Sequence, residues 1–417
     1  MGRERGGGIG DTWRAFWTSR AVAWAAGLLG LLWLGAAPGS DRFDPTGETR
    51  PFGPGLDLLV GPGARWDSVW YLSIAEDGYG DAVDGAKAAF FPLYPLLAKV
   101  VGWLVGSPLL GGLLVSCACG FAALVLLRRL AAIELGEADA RGTVLLVAFF
   151  PTAFFLSAVY AESLFLLLTV GTVLAARQGR WAWAGALGGL AAMTRNSGVL
   201  LLVPTLIMFL WGPRGDRPAP AGARPWWRPR HPVAPAICWL ALIPAGLAAY
   251  LAYIGVVLGD PLAPFTAQRL WGRELVPLGG VWEGARAAWL GLRQLLAGTT
   301  TPVYFAEAGG DPLANAGQNL MLFGFLVFAL VALVGALRRL PLAYGAYAAA
   351  ALAAALSSPV PAQPLMSLPR FLLVLFPLQM WLARWARERG GVERAVAVSA
   401  VLLGLLSAQF ARWGFVA

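Results

Sequence analysis

Charge is scarce in this chain. Only 13% of its 417 residues are Asp, Glu, Lys or Arg, about half of the roughly 25% usual in soluble proteins, while 58% are hydrophobic. That shortfall excludes an ordinary soluble domain. Histidine is reduced to His231, in an Arg/Pro-rich stretch, which argues against histidine acid–base catalysis. Cysteine is limited to Cys117, Cys119 and Cys238, all inside apolar runs. Cys117 and Cys119, two apart, point to different helix faces, so neither a disulfide nor a metal site is supported. Lysine is limited to Lys87 and Lys99, and the formal charge of +9 comes from arginine. In a soluble protein this balance would suggest nucleic acid. Here it reflects basic loops on one membrane face and a few arginines kept for phosphate, with no nucleic-acid partner expected.

What the chain has instead is apolar runs of membrane-crossing length along its whole extent. The expected fold is an all-α polytopic membrane protein, one integral domain over 1–417, with eleven spans. They fall at about 21–37, 108–130, 143–159, 160–177, 181–194, 197–212, 234–258, 317–337, 341–357, 370–386 and 393–411. The first run has a basic flank but no convincing cleavage site, so it reads as a span. Residues 90–106 are interrupted by Pro92, Pro95 and Lys99 and are expected to lie at the interface. Placing them there, with the N-terminus inside, puts 20 basic and 8 acidic residues on the cytoplasmic side and 12 and 15 on the outer side. Making 90–106 a span would turn the basic loop 213–232 (Arg214, Arg217, Arg224, Arg228, Arg230), Arg128-Arg129 and Arg338-Arg339 outward, against the positive-inside rule. The outer segments are then 38–107, with interfacial helices, and 259–316.

That topology collects the unusual polar residues on one side. Arg65-Trp66-Asp67-Ser68-Val69-Trp70-Tyr71 sets a carboxylate among aromatic rings in a loop that also holds Asp41, Asp44, Asp57, Glu76, Asp77, Asp81 and Asp84. Asp67 suits a general base that takes the proton of an attacking hydroxyl, and also suits a helix N-cap. Trp66 and Trp70 suit sugar stacking or an interfacial belt. Glu162 begins a helix at the outer junction of two runs; it is costly there unless paired or facing water, and the helix dipole favours it. Arg195, in Thr194-Arg195-Asn196, is placed to reach a phosphate or to pair with Glu162 or Asp67. Arg370 stands on the side that disfavours arginine, so an anionic partner is expected, a phosphate being the best match; snorkelling is the alternative. Gln268 and Arg273, in the loop 264–277, suit substrate contacts or a solvated turn.

Taken together, the segments RWDSVWYLSIAEDGY (65–79), AFFPLYPL (89–96), FFPTAFFLSAVYAESLF (149–165), TRNSG (194–198), AQRLWGRE (267–274) and SLPRFLLVLFP (367–377) resemble the GPI mannosyltransferase II (PIG-V type) family and its bacterial relatives, within the GT-C class of membrane glycosyltransferases. The resemblance covers most of residues 64–380. It implies a polyprenyl-phosphate-linked mannose donor used on the outer face of the plasma membrane, with inversion at the anomeric carbon. It also implies Asp67 as base, and Arg370 with Arg195 on the donor phosphate. No cofactor is implied; GT-C enzymes differ in metal use, no metal site is identified in this sequence, and the acceptor is left open among glycan, lipid and protein. The Ala-, Gly- and Arg-rich, Lys-poor composition suggests a bacterial source and implies no GPI-type acceptor. Glu76 and Asp77 remain alternative bases. The rival classes are a flippase for polyprenyl-linked glycans, which needs polar residues at mid-span, and a non-catalytic membrane subunit.

Overall fold

The computed structural model describes residues 2–80, 85–217, 228–300 and 311–416, of which 2–7 by backbone only. Asp81, Asp84 and Arg224 lie outside the described residues. Those described are helical, with one isolated bridge between Val360 and Gln363. Five helical stretches are long and apolar enough to cross a bilayer: Gly8–Leu34, Pro108–Leu135, Pro235–Leu258, Pro312–Arg339 and Val392–Ala411. They coincide with five of the eleven expected spans; the other six are shorter or broken.

The chain starts with α1 (Gly2–Leu34) and crosses the loop region through α2 (Pro54–Val60), α3 (Asp67–Asp77) and α4 (Leu93–Val105). It continues in α5 (Pro108–Leu135), α6 (Glu137–Ala148), α7 (Glu162–Arg177), α8 (Trp181–Ala192), α9 (Leu202–Trp211) and α10 (Leu242–Leu258). After the short α11 (Ala263–Thr266) come α12 (Gly279–Ala297), α13 (Pro312–Arg339) and α14 (Leu342–Leu356). The chain closes with α15 (Leu368–Val374), α16 (Phe376–Glu388) and α17 (Val392–Ala411). The first and last helices lie side by side, with Gly30 so close to Ala408 that an added Cβ would stand 3.0 Å from the alanine methyl.

Two expected spans are corrected. The run 143–159 is not one helix: α6 stops at Ala148, and residues 149–161 form turns and a short 3-10 segment before α7 starts. Pro151 cannot continue the helical ladder and biases Phe150 away from helix. Irregular backbone is tolerable at membrane depth only when protein covers it, and Phe150 to Ala161 are all buried. Arg20 of α1, 1% exposed, donates to the carbonyls of Ala148, at 3.0 Å, and Ala153. Val159 N–H donates to the Gly63 carbonyl at 2.8 Å, tying this segment to the loop region. The second break is in the run 370–386. It divides into α15 and α16 at Leu375, where Pro377 takes the second position of the new helix. The expected loop 259–316 also contains the 19-residue α12, whose glycines at 280, 284 and 291 approach Leu356, Leu365 and Ala316.

Helix contacts rely on small residues, as expected where lipid supplies no hydrophobic drive to associate. One of the tightest backbone contacts is α8 against α10, where a Cβ on Gly246 would fall 2.1 Å from the Gly189 carbonyl oxygen. Backbone cannot yield as a flexible side chain does. Gly246→Ala is therefore expected to cost about 1–3 kcal/mol and lower the melting temperature of the detergent-purified protein. Gly317→Ala, where nothing lies within 4 Å, should leave it unchanged.

Candidate active site

The chain enters α3 through a strained residue. Trp66 has φ 54° and ψ −114°, outside the regions favoured for L-residues. The strain is held by contacts on both sides. The Trp66 ring packs against Phe43 at 4.3 Å, Phe415 at 5.2 Å and Trp413 at 5.9 Å. Just before it, buried Arg65 donates from Nε to the Ala411 carbonyl at 2.8 Å and lies over the Trp413 ring. Asp67 follows as the first residue of α3, so the capping position belongs to Trp66, which makes no side-chain cap bond. The N-cap reading of Asp67 is corrected accordingly. Its N–H donates to the Tyr160 hydroxyl at 3.1 Å, and that hydroxyl donates to the Arg65 carbonyl at 3.1 Å.

The Asp67 carboxylate, still partly open to solvent, accepts from Nη1 of Arg370. Arg370 sits in α15 behind Pro369, and its Nη2 donates to the Ser367 hydroxyl at 3.3 Å. Its Nε lies 3.4 Å from Oε1 of Glu162. Glu162, 1% exposed, is the first residue of α7, and the same oxygen accepts from Nη1 of Arg195. Arg195 in turn lies over the rings of Phe371, at 4.9 Å, and Phe165. Arg273 completes the group by donating to Ser367 Oγ at 3.2 Å. It has no carboxylate within 4 Å among the described residues. Burial, with the charge of Arg370 adding to it, lowers the Arg273 guanidinium to about 10.

Asp67, Glu162, Arg195, Arg273 and Arg370, from five distant sequence segments, thus form one connected cluster. Two carboxylates face three guanidinium groups, leaving one positive charge in excess. The second oxygen of Glu162 and Nε of Arg370 are buried without a hydrogen bond, although Nε keeps its ion contact with Glu162. A cationic excess at a partly open carboxylate suits a site that receives an anion and an acceptor hydroxyl.

The remaining candidates lie around the cluster. Trp70 stacks on Phe90 at 5.7 Å and meets Trp271 at 6.2 Å, forming an aromatic wall. Gln268 contributes its backbone carbonyl, which accepts from Arg273 N–H at 3.2 Å; its side chain does not join the ion network. Glu76 and Asp77 are exposed at the far end of α3, roughly 14 Å along the helix from Asp67, and Asp77 faces Lys87 at 4.0 Å. Among the described residues no group of three or more His, Cys, Asp or Glu is placed to hold a metal ion. Sequence reasoning missed Ser367, which links two arginines from a left-handed conformation (φ 69°). It also missed Tyr160 and Arg65 as holders of the Asp67 backbone. A lone Ser before Leu-Pro-Arg carries no signal, whereas the tyrosine lay in a motif already singled out for Glu162.

These features define a polytopic α-helical membrane protein with an ionic centre under short helices at one end of its bundle. Part of the chain is similar to a known family. Residues 57–209 match Mannosyltransferase (PIG-V). GPI alpha-1,6-mannosyltransferase 2 of Mus musculus is 32% identical over 229 residues, 51% of this chain and 44% of that protein. Its Rattus norvegicus counterpart is 34% identical over 172 residues, 38% and 33% of the two chains. The chain is thus similar to PIG-V mannosyltransferases over part of its length, and it spans less than half the length of these curated relatives. Asp67, Tyr160, Glu162 and Arg195 fall inside the matched region; Arg273, Ser367 and Arg370 fall beyond it. Among solved structures, the Archaeoglobus fulgidus oligosaccharyltransferase in the apo form is similar over 97% of this chain and 56% of that one, with TM-score 0.45 and 14% identity. The oligosaccharyltransferase AglB of the same organism, in complex with an inhibitory peptide and a dolichol-phosphate, gives TM-score 0.43 and 13% identity over the same shares. Likenesses of that size carry no functional weight.

Two measurements test the electrostatics. Arg195→Gln leaves Glu162 with a poorer partner at 1% exposure and should destabilise the protein by about 3–5 kcal/mol. Adding Glu162→Gln should restore much of the loss, read as recovery of the melting temperature in the double variant. In the loop before α2, burial pushes the Glu48 carboxyl up to about 7, and the charges of Glu76, Asp44 and Asp77 add to it. Folding therefore favours its neutral form. That contribution is complete below the ordinary value of 4.5 and is lost as pH rises through about 7. Hydrogen exchange of this loop should accelerate, beyond its intrinsic pH dependence, between pH 5 and 8, and Glu48→Gln should remove the excess.

Proposed function

We propose that this protein transfers a mannosyl residue from a polyprenyl-phosphate-linked donor to an acceptor hydroxyl, as a GT-C-type enzyme with inversion at the anomeric carbon. The observation that carries the reading is the five-residue ion cluster: a solvent-reachable carboxylate at the edge of a group with one excess positive charge. The match of residues 57–209 to a mannosyltransferase family supports the sugar, and the similarity to GPI alpha-1,6-mannosyltransferase 2 supports transfer to a glycan hydroxyl.

In this mechanism the acceptor oxygen attacks the anomeric carbon as the bond from that carbon to the donor phosphate breaks. Asp67 accepts the hydroxyl proton, and the phosphate departs with the bonding electrons. Arg370, Arg273 and Arg195 stabilise the charge that grows on its oxygens. One base suffices for a single displacement, because a phosphate leaves without protonation. Before the donor binds, Arg370 is occupied by Asp67; a phosphate competes for the same guanidinium, so donor binding frees the carboxylate to face the acceptor. Trp70 and Trp271 form the aromatic wall against which a sugar ring stacks. The prenyl chain lies in apolar grooves between helices. The site faces the outer side of the plasma membrane, and the N-terminus faces the cytoplasm. The charge division of 20 basic to 8 acidic residues on one side and 12 to 15 on the other supports that orientation.

The test is transfer of radiolabelled mannose from polyprenyl-phosphate mannose to a membrane glycan and lipid extract. Asp67→Asn should reduce turnover by about 100-fold or more with unchanged folding. Near-normal turnover would move the base elsewhere and overturn this part of the mechanism. Arg370→Ala should act mainly on donor KM and on turnover, and an effect confined to the acceptor would remove its phosphate role.

A further inference from the structure

A second basic site lies at the end of the bundle away from Asp67. A cavity of about 190 Å³ opens between α1, α5 and α6, lined by Asp11, Arg14, Thr18, Arg128, Arg141 and Val144 among others. Its distance from the ion cluster follows from the helices. Arg14 stands twenty residues before Leu34, where α1 reaches the loop region, and Arg128 twenty residues after Pro108; each separation is about 30 Å along the helix. The volume is roughly ten times what a single buried water needs, so the space is of ligand size.

Its charges are unevenly committed. Arg128 is engaged, 3.8 Å from Asp11 and 3.3 Å from Glu137. Thr18 turns its hydroxyl to its own helix, donating to the Arg14 carbonyl at 2.6 Å. Arg14 and Arg141, from different helices, are exposed and have no ion-pair partner among the described residues. On α1, Arg14 is flanked by Trp13 and Trp17, which are 51% and 41% exposed and pack edge to face at 5.4 Å. Exposed tryptophans on a membrane helix mark the headgroup level. Two uncommitted guanidinium forks converging on a cavity at that level match the oxygens of a phosphate group.

We propose that this cavity binds a phosphate group, with Arg14 and Arg141 as its ligands and Arg128, oriented by Asp11 and Glu137, as its inner wall. The group comes from an anionic lipid headgroup or from free phosphate in solution. The site is separate from the ion cluster around Asp67 and does not depend on the mannosyl-transfer reading.

The full chain, purified in neutral detergent, is tested by native mass spectrometry and by melting temperature. It is titrated with phosphatidylglycerol, with phosphatidylcholine, and with inorganic phosphate against chloride at equal ionic strength. The wild type should retain and be stabilised by phosphatidylglycerol over phosphatidylcholine. Arg14→Gln/Arg141→Gln should bind it about 30-fold more weakly, and either single variant about 5-fold. Arg338→Gln, an exposed arginine on α13, serves as the control. Stabilisation by inorganic phosphate that the double variant loses would identify free phosphate as the source and keep the site. Equal binding of both lipids with no response to phosphate, or equal losses in Arg338→Gln and the double variant, would overturn the proposal. If the double variant does not fold, the single variants and Arg14→Lys/Arg141→Lys, which keeps the charge and loses the fork, provide the same comparison.

Discussion

A carboxylate as buried as Glu162, at the end of a helix in an apolar bundle, is tolerable only because two guanidinium groups reach the same oxygen. Removing ions from water costs several kcal/mol each, and only close opposite charge offsets it. That requirement organises this end of the protein. Arg195 must come from the turn after α8, and Arg370 from the first turn of α15. Arg370 then reaches Asp67 and joins the first loop to a segment three hundred residues later. The positions of α3, α7 and α15 relative to one another follow from this chain of charges as much as from apolar packing.

The same logic explains why the membrane helices are broken where they are. An unbroken helix over 143–159 would carry the chain past the cluster without turning. The stop at Ala148 and the buried turns that follow deliver Tyr160 under the Asp67 backbone and Glu162 to the head of α7. Arg20 offsets part of the cost by donating to carbonyls that the interrupted ladder leaves open. The break at Leu375 acts alike for Arg370, giving it a short helix of its own instead of a place within a long one. In both places proline ends a helix, and an arginine with little or no exposure lies close by, Arg20 at the first and Arg370 at the second.

The polypeptide also separates two uses of arginine. At the loop end, Arg195 and Arg370 are largely shielded and paired with carboxylates, with Arg273 as the excess charge. At the opposite end, Arg14, between Trp13 and Trp17, and Arg141 are exposed and have no ion-pair partner among the described residues. Paired charges specify geometry; unpaired ones at a headgroup level attract anions without shaping the fold.

Much of this was legible in the amino-acid order, because a membrane chain is sparing with polar residues. Against 58% hydrophobic composition, Asp67, Glu162, Arg195, Arg273 and Arg370 stand out individually, and an isolated charge in such surroundings implies a partner. The helical membrane class followed from run length alone, since backbone in hydrocarbon must satisfy its own hydrogen bonds. Which charge meets which was not legible, because ion pairs across 303 residues leave no local pattern. Ser367, Tyr160 and Arg65 were silent for a related reason: their importance lies in a backbone conformation or a carbonyl supplied by another segment. Gln268 erred in the other direction, a polar side chain in a promising loop whose backbone, not its amide, meets Arg273. Composition and hydropathy thus determined the solvent, the helices and the list of costly charges. Only the tertiary structure decided the pairing, since it is packing at glycine contacts and proline breaks that brings distant charges within a few ångströms.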